Sequence, residues 1–423
     1  MDIDNLENGS FYSITSDSVT REGVFVNATS KYVFLKLNSG YNVGIAKSKI
    51  KKVNLLKEKP LSKQTEQVIS KKTGNADVLI LHTGGTIASK VDYSTGGVSD
   101  KFSPEEILAL FPELSSLASI DSKLVSNMPS DDMNFSHYNT LIDEVKKNHT
   151  KFKGIIITHG TDTLHYTSAA LRFALKNIPI PVVLVGSQRS SDRPSSDAAI
   201  NLLNAVYFIT KKIPGVFICM HKDIKSMECH ILDGVNVKKM HSSRRDAFKQ
   251  INSLPLATID FKNDYFALEK SAPKPDLKVE FLKYKDDLKI GMVHARPNMF
   301  SKELALYASF DGLVLAGTGL GHFPITQFDS ATAENNKIFK AIIDLASKIP
   351  VAMTTQTVNG TVNLNVYSPG RKLKDAGVLG HNCNMCYETA YIKLAYLLSN
   401  HPLEVKELYS KDLQGELSIP YVK

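Results

Sequence analysis

The sequence predicts an α/β fold: two parallel-sheet lobes preceded by a small all-β, barrel-like domain. Two observations predict the lobes. Short apolar runs such as Val78–Leu81 and Ile155–Ile157 have the length of buried strands, and such runs alternate along the chain with helical patterns. The β-domain is predicted because residues 10–55 alternate with the two-residue period of half-buried strands. A chain of 423 residues has room for two or three domains.

Changes in composition divide this fold into five segments. Residues 1–58 form the β-domain, and the polar, lysine-bearing residues 59–76 form a linker. Residues 77–267 form the first lobe, and residues 289–423 form the second. Between them, residues 268–288 are charged and contain proline, which is typical of a connection between two lobes.

The β-domain contains a predicted hairpin followed by a basic run. Tyr32–Leu37 and Tyr41–Ile45 flank the turn Asn38-Ser-Gly40. Two uses are open for the basic run Lys47–Lys52: contact with RNA phosphates, or a solvated strand edge, which is the more common use of such lysines.

Strands and helices alternate through both lobes. A helix is predicted to begin at Ser103, where a capping serine is followed by proline and glutamate. The first lobe also has predicted helices at 164–176 and 198–210 and strands at 181–185 and 216–219. The second lobe has predicted strands at 290–294, 312–316 and 351–355 and helices at 335–347 and 387–398. This order is typical of parallel sheets.

Composition and charge indicate a globular protein. The chain is 43% hydrophobic and 22% charged, and no apolar run is long enough to span a bilayer. The start of the sequence lacks signal-peptide character, and four cysteines are too few for a disulfide framework, so we expect a cytoplasmic protein. The formal net charge of +8 permits contact with a polyanion without establishing it.

Two short motifs suggest other functions. Cys383-Asn-Met-Cys386 has the spacing of half a zinc site or a redox pair, but no second pair accompanies it, which favours ordinary packing cysteines and no metal. Gly317-Thr-Gly-Leu-Gly321 places its third glycine one position too early for a dinucleotide-binding loop. Neither motif therefore predicts the function of the chain.

Two segments rich in threonine and glycine carry the strongest chemical signal. Leu81-His-Thr-Gly-Gly-Thr86 and Thr158-His-Gly-Thr-Asp-Thr163 each complete a predicted buried strand. Parallel sheets bind ligands beyond the carboxyl ends of their strands. Hydroxyl groups, a carboxylate and free backbone N–H groups at one place are the parts that amide hydrolysis needs. Taken alone, each segment is equally well explained as a polar turn that caps a helix.

Both segments resemble the signatures of the L-asparaginase and glutaminase family. Two more segments extend the likeness: Asp233-Gly-Val-Asn-Val-Lys-Lys239 is similar to the segment that supplies the family's essential lysine, and Met128-Pro-Ser-Asp-Asp-Met-Asn134 is similar to its substrate-carboxylate loop. The resemblance runs from Asp77 to the C-terminus and implies asparaginase-like lobes.

The resemblance implies a role for eight residues. Thr86 would attack the side-chain amide to form an acyl-enzyme, with a proton relay formed by Thr161, Asp162 and Lys239; which threonine attacks first stays open. The substrate would be bound by Ser130, Asp131, the lid residue Tyr93 and the backbone amide of Gly85. His82, His159 and His165 are expected to pack and hydrogen-bond around the turns.

A closer resemblance is to the D subunits of archaeal glutamyl-tRNA(Gln) amidotransferases, an asparaginase-like family with an added N-terminal β-domain. It is carried by Leu37-Asn-Ser-Gly-Tyr-Asn-Val-Gly-Ile45, Asn365-Val-Tyr-Ser-Pro-Gly-Arg371 and Lys374-Asp-Ala-Gly377. This resemblance implies that the chain releases ammonia from glutamine or asparagine. A partner E subunit would use ATP and magnesium to activate the glutamate of Glu-tRNA(Gln).

The same resemblance implies a homodimer core within a heterotetramer, no membrane contact and no cofactor in this chain. No G-x-x-x-x-G-K-[ST] phosphate loop occurs in the sequence, so the ATP-dependent step is expected on the partner. A free-standing L-asparaginase or glutaminase is the alternative.

Overall fold

The computed structural model describes residues 6–7, 9–17, 19–37, 42–57, 76–85, 89–91, 98–100, 113–189, 196–273 and 278–417. Thr86, Tyr93, the helix predicted from Ser103 and the turn at 38–40 lie outside the described residues.

The N-terminal segment forms one antiparallel sheet. Its strands are β1 (Phe11–Ser16), β2 (Val19–Ala28), β3 (Tyr32–Leu37), β4 (Asn42–Ala46) and β5 (Ile50–Lys57), in the spatial order β4-β3-β2-β1-β5. Alternate side chains fill the core of this domain, among them Tyr12, Ile14, Val33 and Leu35. The apolar positions of the two-residue period therefore line the buried face of this sheet.

The first lobe is built on an eight-stranded sheet in the order β18-β17-β14-β13-β12-β10-β6-β9. The strands of this lobe and of the connection that follows it are β6 (Val78–His82), β7 (Ser89–Val91), β8 (Val98–Asp100), β9 (Ile120–Leu124), β10 (Gly154–Thr158), β11 (Leu175–Lys176), β12 (Pro181–Val185), β13 (Gly215–His221), β14 (Cys229–Asp233), β15 (Val237–Lys239), β16 (Phe248–Gln250), β17 (Ala257–Asp260), β18 (Tyr265–Leu268) and β19 (Glu280–Phe281). β9, β6, β10, β12 and β13 are parallel neighbours, so their carboxyl ends meet at one edge.

The described helices of the first lobe are α1 (Leu114–Leu117), α2 (Phe135–Asn148), α3 (Leu164–Ala174) and α4 (Ala198–Thr210). The prediction of a helix over 164–176 was wrong at its end, because Leu175–Lys176 leaves the helix and pairs with β19 as a short antiparallel ladder. Asn177 follows this ladder with a left-handed backbone at φ 55°.

The second lobe has a three-stranded parallel sheet of β20 (Ile290–His294), β21 (Gly312–Gly317) and β22 (Val351–Thr355). Its helices are α5 (Ser301–Ala305), α6 (Glu334–Ala346), α7 (Ser368–Asp375), α8 (Tyr387–Asn400) and α9 (Val405–Leu408). Across the described ranges, none of the helices has the length and apolar character needed to cross a membrane.

The two lobes share one apolar core, in which α3 of the first lobe packs against α8 of the second. Phe173 and Tyr396 stack across this contact with ring centroids 5.4 Å apart. Leu171 and Leu394 are fully buried in the same cluster. α8 is therefore positioned to influence the first-lobe residues that lie at the start of α3.

Candidate active site

The ammonium group of Lys239, at the end of β15, contacts Thr161 and Asp162. Its Nζ atom donates to Thr161 Oγ1 at 2.8 Å and to Asp162 Oδ1 at 2.7 Å. The Lys239 side chain is 10% exposed, whereas that of Asp162 is 62% exposed. The structure thus brings together three of the four residues that the sequence predicts for catalysis, with the amine of Lys239 between a hydroxyl and an exposed carboxylate.

Thr161 and Asp162 lie in the turn between β10 and α3, at the carboxyl edge of the parallel sheet. The neighbouring strand, β12, is followed directly by Gly186, where a Cβ atom would lie 2.8 Å from Cγ2 of Thr161. A side chain at position 186 would displace Thr161, so glycine there leaves room for the site. The location agrees with the general rule that ligands bind beyond the carboxyl ends of parallel strands.

The first threonine- and glycine-rich segment, residues 81–86, contacts the second, residues 158–163, through Gly85. Gly85 has a left-handed backbone at φ +81°, and a Cβ atom on it would lie 2.5 Å from both N and Cα of Gly160. Gly84 has φ +102°, and a Cβ atom there would lie 2.7 Å from the backbone N of Met128. Both positions therefore require glycine for conformation and for space. Thr86 and Tyr93 are outside the described part of the chain.

Ser130 and Asp131 belong to a 3₁₀ turn, Ser130–Asp132, beside the segment of residues 158–163. Thr163 ties this turn to the motif, since its Oγ1 donates to Ser130 O at 2.7 Å and its N–H donates to Ser130 Oγ at 3.3 Å. Ser130 is buried and Asp131 is exposed. The Ser130 side chain also packs on Gly160, so Gly160 contacts both the 3₁₀ turn and Gly85.

The three histidines near the motifs have structural partners, as expected. His82 Nδ1 lies 3.0 Å from Thr158 Oγ1, and His159 Nε2 lies 2.8 Å from Thr167 Oγ1. Complete burial lowers the pKa of His159 to about 4, so this imidazole is neutral at neutral pH. His165 Nε2 lies 3.5 Å from the carboxylate of Glu388.

Sequence reasoning missed a set of second-lobe contacts behind Lys239. Lys238, the neighbouring residue in β15, donates to Glu388 Oε1 at 2.6 Å, and the N–H of Asn236 donates to Thr389 Oγ1 at 2.8 Å. The two partners of each contact are about 150 residues apart in the sequence. No local pattern predicts a pairing at that separation, because periodicity and capping report only on near neighbours.

The cysteines of the C-x-x-C pair are buried beside the start of α8. Burial raises the pKa of the Cys386 thiol to about 12, and its Sγ atom lies 3.4 Å from Thr389 Oγ1. Within the described residues, no group of three or more histidine, cysteine or acidic side chains is arranged to hold a metal ion.

Three family models match the chain, and two of them define the asparaginase class. The model "Asparaginase, N-terminal" matches residues 77–272, and "Glutaminase/Asparaginase C-terminal domain" matches residues 289–408. Solved structures agree: the thermostable L-asparaginase from Thermococcus kodakarensis has a TM-score of 0.70 and 30% identity and covers 81% of this chain and 99% of its own. L-asparaginase I from Vibrio cholerae has a TM-score of 0.69 and 26% identity and covers 82% of this chain and 100% of its own.

The third family model is the "GatD N-terminal domain", which matches residues 6–56. The D subunit of the glutamyl-tRNA(Gln) amidotransferase of Methanococcus maripaludis is 39% identical over 97% of this chain and 98% of its own. The D subunit of the Pyrococcus abyssi enzyme is 38% identical over 99% of this chain and 96% of its own. The chain therefore belongs to the family of glutamyl-tRNA(Gln) amidotransferase D subunits.

Proposed function

We propose that this chain is the glutamine-hydrolysing subunit of a glutamyl-tRNA(Gln) amidotransferase. It releases ammonia from glutamine, or from asparagine, for the conversion of Glu-tRNA(Gln) to Gln-tRNA(Gln). The observation that carries the proposal is the contact of Lys239 with both Thr161 and Asp162 at the carboxyl edge of the parallel sheet. Similarity to amidotransferase D subunits over 97% of the chain supports the same assignment.

In the proposed mechanism, the Thr86 hydroxyl attacks the side-chain amide carbon of the substrate. A free hydroxyl is a poor nucleophile, so its proton must pass to a nearby base. Thr161 and Lys239 form that relay, in which Lys239 takes up the proton when its amine is neutral. Lys239 Nζ lies within hydrogen-bond distance of both Thr161 Oγ1 and Asp162 Oδ1, so Asp162 orients the amine toward the hydroxyl that starts the relay.

Lys239 then returns the proton taken from Thr86 to the amide nitrogen, which leaves as ammonia, and an acyl-enzyme remains on Thr86. Water hydrolyses this ester to release glutamate and restores the threonine. The backbone amide of Gly85 stabilises the oxyanion formed in each step, a contribution of about 3 kcal/mol for one well-placed donor. Peptide mapping of a trapped acyl adduct tests the assignment, since an adduct on Thr161 would reverse the roles of the two threonines.

Substrate binding is assigned to Ser130, Asp131 and Tyr93. Asp131 is exposed next to the buried Ser130, so its carboxylate is available to the α-ammonium group of the amino acid. Ser130 holds the α-carboxylate, and Tyr93, which the family resemblance makes a lid residue, contacts the substrate. No metal or cofactor takes part in this half of the reaction.

The remaining steps are assigned to a partner E subunit. That subunit binds ATP and magnesium, activates the glutamate of Glu-tRNA(Gln) and uses the ammonia released here. The "GatD N-terminal domain" match supports this assembly over a free-standing asparaginase, because the two asparaginase structures cover only 81% and 82% of the chain. We further propose a homodimer core within a heterotetramer, located in the cytoplasm with its tRNA substrate.

Ammonia release from glutamine tests this function. It is measured with the purified chain alone, and then with the E subunit, ATP and Glu-tRNA(Gln). Release that rises sharply only in the complete mixture is the expected result, since the two sites must work in step. Fast release by the chain alone, indifferent to the other components, would favour a free-standing amidohydrolase.

The variant Thr86→Ala separates the two half-reactions. It is expected to abolish ammonia release from glutamine while tRNA amidation continues when ammonium salt is supplied. Loss of both reactions in a folded variant would show that Thr86 has another role.

A further inference from the structure

Glu388, in the first turn of α8, reaches out of the second lobe to the strand that carries Lys239. Its Oε1 atom accepts a hydrogen bond from Lys238 Nζ at 2.6 Å. The same oxygen lies 3.5 Å from Nε2 of His165 in α3. The Glu388 side chain is 3% exposed, so these two contacts take the place of water around its Oε1 atom.

Glu388 contacts β15, which carries Lys239, and α3, which begins directly after the turn that contains Thr161 and Asp162. Lys238 and Lys239 are successive residues of β15, and successive side chains of a strand point to opposite faces. One face of β15 therefore meets Thr161 and Asp162, while the other meets Glu388. His165 lies in the first turn of α3, directly after the turn that contains Thr161 and Asp162.

The Glu388–Lys238 pair is charged at neutral pH. Burial alone would raise the pKa of Glu388, but His165 and Lys238 outweigh it and bring the pKa to about 2. Burial likewise lowers the pKa of Lys238, and attraction to Glu388 with hydrogen bonds to Glu388 and Tyr387 reverses that effect, so the pKa lies above its usual value. A buried charged pair of this kind is sensitive to geometry, because either charge without the other is strongly disfavoured.

Backbone contacts join the same two elements independently of the ion pair. The Asn236 N–H donates to Thr389 Oγ1 at 2.8 Å, and the Cys386 N–H donates to Asn236 Oδ1 at 3.2 Å. Asn236 comes directly before β15 and has a left-handed backbone at φ 53°. The start of α8 thus holds β15 at two places, before the strand and within it.

We propose that Glu388 is a positioning residue for Lys239, which fixes the separation of β15 from the start of α3 through Lys238 and His165. The inference rests on the proposed function only for its effect on rate. Its structural claim is that contacts from the second lobe determine the position of Lys239 relative to Thr161 and Asp162.

The principal test is Glu388→Gln, which keeps the shape of the side chain and removes its charge. A displacement of about 1 Å in a reacting group costs on the order of a hundredfold in rate. We therefore expect kcat for ammonia release by the complete complex to fall roughly ten- to hundredfold, with KM changed less than about threefold, because Glu388 does not touch the substrate. Circular dichroism and gel filtration establish that the variant is folded.

α8 supplies a matched control. Lys393, in the same helix, forms a fully buried ion pair with Glu416 at 2.5 Å. Glu416→Gln removes a buried carboxylate from a lysine partner without touching β15 through its side chain. The kcat of a complex that contains Glu416→Gln is expected to stay within about twofold of the parent value. Lys238→Arg, which keeps the charge next to Glu388, is expected to retain more activity than Glu388→Gln.

A second readout does not depend on the proposed function. Lys239 is 10% exposed, so an amine-reactive reagent should label it slowly in the parent protein. If Glu388 positions Lys239, the labelling rate measured by mass spectrometry should rise at least about threefold in Glu388→Gln and stay unchanged in Glu416→Gln. This comparison decides the inference even if the parent complex releases no ammonia from glutamine, a result that would overturn the proposed function alone.

Three outcomes would overturn the inference. They are an unchanged kcat in folded Glu388→Gln, an equal loss of kcat in Glu388→Gln and Glu416→Gln, and an unchanged labelling rate of Lys239 in folded Glu388→Gln. The second would show that any buried ion pair of α8 acts through general stability.

Discussion

Gly85 packs directly on Gly160, with room for no side chain: a Cβ atom on Gly85 would lie 2.5 Å from both N and Cα of Gly160. Each glycine comes immediately before a threonine of the proposed site, Thr86 and Thr161. The two motifs are therefore joined by backbone contact, and a change in one glycine must displace the turn that contains the other.

The variant Gly85→Ala should lose both stability and activity. Gly377 provides the control, since its φ of +90° is close to the +81° of Gly85 but a Cβ atom there would meet nothing within 4 Å. Gly377→Ala should cost only the strain of a left-handed residue, about 1–2 kcal/mol. Gly85→Ala should cost more and lower ammonia release on the order of a hundredfold. Urea unfolding measures the loss of stability, and the ammonia assay measures the loss of activity. Equal effects of the two variants would contradict the close approach of Gly85 to Gly160.

Removing the amine of Lys239 should stop the relay. Lys239→Met keeps an unbranched side chain of nearly the same length but can neither accept a proton from Thr161 nor donate one, so glutamine-dependent ammonia release should fall roughly 10²- to 10⁴-fold. Thr161→Ser keeps the hydroxyl and should retain more activity than Thr161→Ala. Amidation of tRNA supplied with ammonium salt should survive in Lys239→Met, and its loss in a folded complex would argue for a structural role of the lysine.

Acid should destabilise the protein through His159. Burial holds its pKa near 4, whereas the unfolded residue has its ordinary value of 6.5. The unfolded chain therefore binds more protons between these values, and stability falls as pH falls through that window. From about pH 7.5 to about pH 5, this term is about 2 kcal/mol.

The variant His159→Gln isolates that term because glutamine does not titrate. Its free energy of unfolding, from urea titrations at the two pH values, should decrease less than that of the parent by about 2 kcal/mol. An identical pH dependence in both proteins would show that His159 is not the group responsible.

The buried pair Lys393–Glu416 should matter far more for stability than an exposed pair nearby. Lys393→Met leaves Glu416 as an uncompensated charge in the core and should cost about 3–5 kcal/mol. Lys411 and Glu407 form a solvated pair, 55% and 65% exposed, whose removal by Glu407→Ala should change the free energy of unfolding far less than Lys393→Met does. Comparable losses in the two variants would mean that the Lys393 pair is hydrated in solution.

Local sequence patterns predicted several strands and helices of the two lobes. The strands at 181–185, 290–294 and 351–355 and the helix at 198–210 begin and end where the structure places them. Each has an uninterrupted apolar or helical pattern of its own, so near neighbours determine its limits. The helix at 164–176 failed at its end because a distant strand, β19, pairs with Leu175 and Lys176. Tertiary pairing of that kind overrides local propensity.

The contacts of the proposed site could be predicted only in part. Thr161, Asp162 and Lys239 were selected by motif resemblance, and the structure brings them into hydrogen-bond contact. Glu388 and Asn236 were not selected, since their contacts join segments about 150 residues apart. Only the folded chain shows that the second lobe holds the strand bearing Lys239.

Transfer of the amide nitrogen is the most direct test of the proposed function. Glutamine labelled with ¹⁵N in its side-chain amide is supplied to the chain, its E partner, ATP and Glu-tRNA(Gln), and the product tRNA is analysed by mass spectrometry. We predict ¹⁵N in the side-chain amide of Gln-tRNA(Gln), and none when Thr86→Ala replaces the parent chain. Unlabelled or unconverted tRNA, in a complex that amidates tRNA with added ammonium, would contradict the account.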